Sequence, residues 1–204
     1  MDPEQLLQFW FADAASDARK AEGRYPFWFQ ATPETDAVIH TRFSDLVRQA
    51  QSGGLASWES HPRGWLALII ALDQLPRNLY RGTAAAFAAD PLAQHVTRRG
   101  FERTFYSSLS VLEQLFCLMP FQHAEDLALQ EEAVRRGDAV LATAPPEWTA
   151  LIEDFQGSAR KHLSIIQRFG RFPHRNVLLG RTSTPEEQAF LDSGSGSFGQ
   201  AQKS

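Results

Sequence analysis

Two segments of this chain echo each other: Leu75-Pro76-Arg77-Asn78 and Phe172-Pro173-His174-Arg175-Asn176. Each follows a strongly apolar stretch and ends in Arg-Asn. Guanidinium and amide groups beside irregular backbone can satisfy stray carbonyls, or they can converge on a carboxylate or phosphate. Read as chemistry, Arg77 and Arg175 hold an anion, with Arg171 as a third clamp and Arg81 extending the positive field. Asn78 and Asn176 orient the bound group, and Asp73 positions an arginine. A third proline segment, Pro120-Phe121-Gln122-His123-Ala124-Glu125-Asp126, adds an imidazole and carboxylates. His123 or His174, working with Glu125, then transfers protons. His162 joins them as a ligand-binding residue, because it falls on the apolar stripe of a long helix.

The richest stretch is Arg168 to Arg181, with Arg168, Arg171, Arg175, Arg181 and His174 and no acid, and Arg168 is expected among the ligand-binding residues. The whole chain carries a formal charge of −4, so a segment at +4 leaves −8 for the rest. An acidic chain of this kind is not a general nucleic-acid or membrane-surface binder. No apolar run approaches the ~20 residues of a membrane span. The one cysteine, Cys117, lies in an apolar run and reads as core. A cytoplasmic protein is expected. A metal set drawn from His123, Glu125, His162 and His174 lacks any recognised ligand spacing, so no metal is assigned and no cofactor is named.

Helical elements must position these residues. Asp2-Pro3 and Thr32-Pro33 read as helix starts, and Gly53-Gly54 reads as a stop. Trp65 to Leu72 is apolar all round and is expected at the centre. Pro76 is expected to push Leu75 out of helical angles, and Pro120 to end a helix that began near Ser107. His123 to Asp126 opens the next helix. The longest helix is expected from Glu147 to Arg168, with Trp148, Ile152, Phe155, Ala159, His162, Ile166 and Phe169 on one stripe and Gly170 at its end. Thr184-Pro185-Glu186-Glu187 caps a last short helix. The expected fold is all-α, with eight or nine helices in an antiparallel array. Residues 1–192 form one domain, and residues 193–204 a disordered tail.

Three of these segments, Leu72 to Asn78, Pro120 to Asp126 and Arg168 to Asn176, resemble the bacterial family called domain of unknown function 924. Phe9-Trp10-Phe11, Trp28-Phe29 and Thr184-Pro185-Glu186-Glu187 match it as well, so the resemblance reaches about Leu191. It implies an all-α, tetratricopeptide-like helical fold and brings no activity with it. Ala124 stands where the family pattern carries Ser. The expected function is a pocket lined by Arg, His and Glu for a small anionic metabolite, with acid-base chemistry and enzyme status undecided. The alternative is an interaction module gripping an acidic peptide or protein partner.

Overall fold

The computed structural model describes residues 1–30 and 32–194. Among these residues there is no strand, and nine helices carry the fold. They are α1 (Pro3–Phe11), α2 (Ala18–Phe29), α3 (Pro33–Gln51), α4 (Pro62–Ile69, continued through Ile70–Gln74 and Leu75–Leu79), α5 (Asp90–Glu102), α6 (Val111–Gln122), α7 (Leu127–Thr143), α8 (Thr149–Phe169) and α9 (Pro185–Asp192). Short 3₁₀ turns fill most of the connections.

The helix starts follow from their caps. Asp2 and Gln5 close a reciprocal box at α1, as Ser110 and Glu113 do at α6 and Thr184 and Glu187 at α9. The Asp17, Thr32 and Asp126 side chains accept the first amides of α2, α3 and α7. Gly170 ends α8 with φ 67°, a left-handed conformation that glycine adopts without a Cβ penalty.

Helix α4 is the centre. Residues 64–76 are all buried, and α1, α3, α5 and α6 pack around them. Pro76 does not break this helix. Leu75 keeps α-helical angles (φ −59°, ψ −38°), and its amide bonds to the carbonyl of Ile70, five residues back. The widened turn Ile70–Gln74 accommodates a ring that would otherwise collide with the preceding carbonyl. Asp73, Arg77 and Asn78 therefore project from one continuous helix. Pro120 is likewise inside a helix: α6 runs to Gln122, and burial of Phe121 and Gln122 offsets the one bond lost. His123 ends α6, and Asp126, not His123, opens α7.

The core is aromatic where α1, α2, α6 and α8 meet. The Phe116 ring lies against Phe11 and Trp28, each with a centroid separation of 5.1 Å, and against Phe155 at 5.6 Å. A smaller cluster of Ile165, Ile166 and Phe172 receives Phe190 of α9. Ser193 and Gly194 form the turn that closes α9; the rest of the expected tail, residues 195–204, lies outside the described residues.

Gly100 of α5 sits on the fully buried Trp65 indole. A Cβ there would stand 1.9 Å from Trp65 Cε2. In an open helix Gly→Ala gains about 1 kcal/mol. Here the indole is held by its own bond to the Val96 carbonyl (2.7 Å) and cannot yield cheaply. Gly100→Ala is expected to lose about 1–3 kcal/mol net in urea unfolding. A gain instead would mean that the Trp65 packing is loose.

Candidate functional site

A cavity of about 270 Å³ opens between α2, α4, α6, α8 and the Pro173 turn. Its apolar wall is built from Tyr25, Trp28, Phe29, Phe87, Met119 and Phe155. Its polar lining is Gln74, Arg77, Asn78, Arg81, Gln122, His123, Ser158, His162, His174 and Arg175. The three proline segments converge here, although only Pro173 lies outside a continuous helix.

Asp73 and His123 form the tightest unit. Asp73 is fully buried, and its Oδ1 and Oδ2 lie 2.8 and 3.0 Å from His123 Nδ1. Burial alone would raise the pKa of this carboxyl. The Arg77 guanidinium and then His123 outweigh it and hold the group below the ordinary carboxylate range. An ionised carboxylate only accepts, so Nδ1 carries the proton and Nε2 of the neutral ring keeps its lone pair. Burial first, then Arg77, push the His123 pKa below its usual value, with Asp73 opposing them. Gln74 Nε2 donates to Asp73 Oδ2 and fixes the carboxylate from the other side.

His162 repeats half of this arrangement: its Nδ1–H donates to the Ser158 carbonyl one turn back (2.8 Å). Its ring stands 5.8 Å from that of His123, centroid to centroid. Burial, then His123, push its pKa down to about 3. Burial, then Arg175, do the same to His174, to about 3. Near neutral pH the cavity thus presents three uncharged imidazoles.

The arginines are engaged by protein carboxylates. Arg77 Nη2 and Arg175 Nη1 both donate to Asp90 Oδ2, at 3.2 and 3.1 Å. Arg77 also reaches the Asp73 carboxylate (3.3 Å) and carbonyl. Arg175 donates to the His123 carbonyl (3.0 Å) and lies between the Phe87 and Phe172 rings, 4.4 and 4.6 Å from their centroids. Burial lowers its pKa to about 10, which leaves it a cation at neutrality. Arg81 and Asn78 both bond to Asp36. The arginines expected to clamp an anion, or to grip an acidic peptide, thus have Asp73, Asp90 and Asp36 as partners within the protein.

Five expected site residues are not in the cavity lining; one of them, Asp73, stands directly behind His123. Glu125 accepts the Phe172 amide (2.8 Å) and pairs with Arg181 (2.6 Å), so it braces the Phe172 turn. Arg168 pairs with Glu186, and Arg171 with Glu187 (2.6 Å), docking α9. Asn176 is buried and donates to Ser183 and Glu187. Ala124 is buried in the α6–α7 connection and does not line the cavity. Asp90, Gln74 and Gln122 were missed. Asp90, directly before Pro91, has the pattern of an ordinary helix start, and the two glutamines carry no charge to mark them. Among the described residues no three His, Cys, Asp or Glu side chains stand close enough to hold a metal ion, and no helix is long and apolar enough to cross a membrane.

The family described as bacterial protein of unknown function (DUF924) matches residues 6–195. A solved structure, the protein of unknown function ATU0120 from Agrobacterium tumefaciens, is similar at 34% identity with a TM-score of 0.75. The match covers 90% of this chain and 99% of that one. No curated protein matches.

Proposed function

The chain belongs to the DUF924 family, and we propose that residues 1–192 form one helical unit that binds a small molecule in the α2–α4–α6–α8 cavity, where His123 takes a proton from it. The Asp73–His123 pair carries this reading. A buried carboxylate fixes the imidazole tautomer, so the Nε2 lone pair belongs to a ring on the cavity wall. When Nε2 accepts the proton, the ring becomes an imidazolium, and Asp73 stabilises it at 2.8 Å. The charge left on the bound molecule meets Arg175 and Arg77. These guanidiniums are balanced in the resting protein, so they suit an anion that develops during the reaction better than one that arrives already charged.

The acid-base role narrows to His123 with Asp73; Glu125 stays with the Phe172 turn. His162 and His174 complete the polar end as ligand-contacting groups, and Asn78 and Arg81 form its Asp36-anchored rim.

Proton abstraction can be read without knowing the substrate. The wild-type protein, incubated with a bacterial small-molecule extract in D₂O, is expected to place deuterium on at least one compound. His123→Asn keeps a donor where Nδ1 stood, and so keeps Asp73 paired, but it has no group at Nε2. Labelling should fall by about 10²–10⁴-fold, the usual worth of a positioned base. Equal labelling by the two proteins would rule His123 out as the base.

A further inference from the structure

Gln122 offers a handle on the ligand that the proton-transfer reading does not use. The residue is only 3% exposed, and it lines the cavity. Its main-chain carbonyl accepts from Gln130, but among the described residues its side-chain amide has no hydrogen-bond partner. A primary amide that meets the open space of a cavity offers two donors and an acceptor, and it favours a partner carrying both functions side by side.

The surroundings restrict that partner further. Tyr25, Trp28, Phe29 and Phe155 give a wall of ring faces and edges, which suits a flat body. The fixed charges around the polar end balance: Arg77, Arg175 and Arg81 against Asp73, Asp90 and Asp36. A ligand with a net charge would upset that balance in a desolvated space. A volume of about 270 Å³ equals roughly nine waters, enough for one ring and a polar substituent.

We propose that the cavity takes an uncharged, flat, single-ring molecule with an amide-type edge, and that Gln122 reads that edge through paired donor and acceptor contacts. This rests on the cavity being a small-molecule site, not on His123 acting as base. It assigns Gln122 as the specificity-determining residue.

Three probes of one shape test it: benzamide, benzoate and benzylamine, which is a cation at neutral pH. Each is titrated at millimolar concentration into ¹⁵N-labelled protein. The Gln122 side-chain amide signals are assigned by their loss in Gln122→Met, which removes the polar edge at similar volume. Benzamide is expected to shift those signals and to bind at least tenfold more tightly than either charged probe. Gln122→Met should weaken benzamide at least tenfold. Benzoate or benzylamine binding as tightly as benzamide overturns the proposal, as does failure of all three to bind. The wild-type ranking stands as a test even if the variant folds poorly. The deuterium-exchange experiment with His123→Asn does not involve Gln122, so either reading can fail without the other.

Discussion

Asp90→Ala is expected to cost about 3–5 kcal/mol of folding stability, because it takes the carboxylate partner from buried Arg175 and one of two carboxylate partners from Arg77. Arg77 and Arg175 both lean on this one carboxylate, and Asp90 is 6% exposed. It also opens α5, where a negative charge is favoured by the helix dipole. In a chain of this length each kcal/mol moves Tm by about 2–4 °C, so a fall on the order of 10 °C should follow. Charge, not lost volume, is the cause, and a second substitution separates the two. Arg175→Met keeps an apolar side chain between Phe87 and Phe172 and removes the stranded cation. Added to Asp90→Ala it should restore about 1–3 kcal/mol, a coupling typical of groups in one network. Acetate or formate should also restabilise Asp90→Ala in a concentration-dependent way, because the vacated position between two guanidiniums would then be an anion site. A loss below 1 kcal/mol, with no response to carboxylates, would show that Asp90 is not the keystone of this cluster.

The cluster also shows what could be seen beforehand and what could not. Caps and stops were legible because they are local: Asp2, Thr32, Gly170 and Thr184 act on amides or angles within a turn of themselves. The buried centre was legible because Trp65 to Leu72 has no polar face. The behaviour at Pro76 and Pro120 was not. A proline's local cost is fixed, but whether the chain bends or absorbs it depends on its surroundings: past Pro120 the helix continues into buried Phe121 and Gln122, and at Pro76 the widened turn Ile70–Gln74 keeps the helical path into half-buried residues. The convergence of residues 73–78, 123 and 174–175 was legible as a cluster of unusual side chains. The division of labour inside it was not. Glu125 and Glu187 differ little as letters in a sequence, and both turn out to brace the Arg171 to Arg181 region, while Asp73 and Asp90 neutralise the cavity. Long-range charge pairing has no spacing rule, so the sequence left open whether the arginines meet carboxylates of the protein or a ligand. Gln122 went unseen for the opposite reason, since an uncharged side chain at a helix end gives no signal until its surroundings are known.

Stability should fall steeply as pH drops from about 6.5 to 4.5, and the buried histidines set the slope. His162 and His174 are held neutral down to about pH 3 by burial, with His123 and Arg175 adding to it, whereas unfolded histidine protonates near 6.5. Their folded pKa values are depressed, so between those limits the unfolded chain binds protons that the folded chain refuses. Stability therefore rises with pH across that window and is lost on acidification. Each such proton is worth about 1.4 kcal/mol per pH unit once the unfolded histidine titrates fully. Two of them, with a gradual onset, give a loss on the order of 4 kcal/mol over those two units; His123 moves in the same direction. The carboxylates act lower down. Asp73 and Glu187 have depressed folded pKa values, Glu187 at about 2 through its bonds from Arg171, so their contribution is present above about pH 4.5 and disappears as pH falls toward 2. Urea titrations at half-unit intervals should thus show a histidine window above a carboxylate window. His162→Asn, whose amide can replace the donor to the Ser158 carbonyl, should flatten the upper window by about 1.4 kcal/mol per unit and leave the lower one alone. A wild-type curve flat from 6.5 to 4.5 would mean that these imidazoles charge readily in the folded protein. The polar end of the cavity would then be cationic in mild acid, and an uncharged ligand beside a neutral His123 base would lose its physical footing.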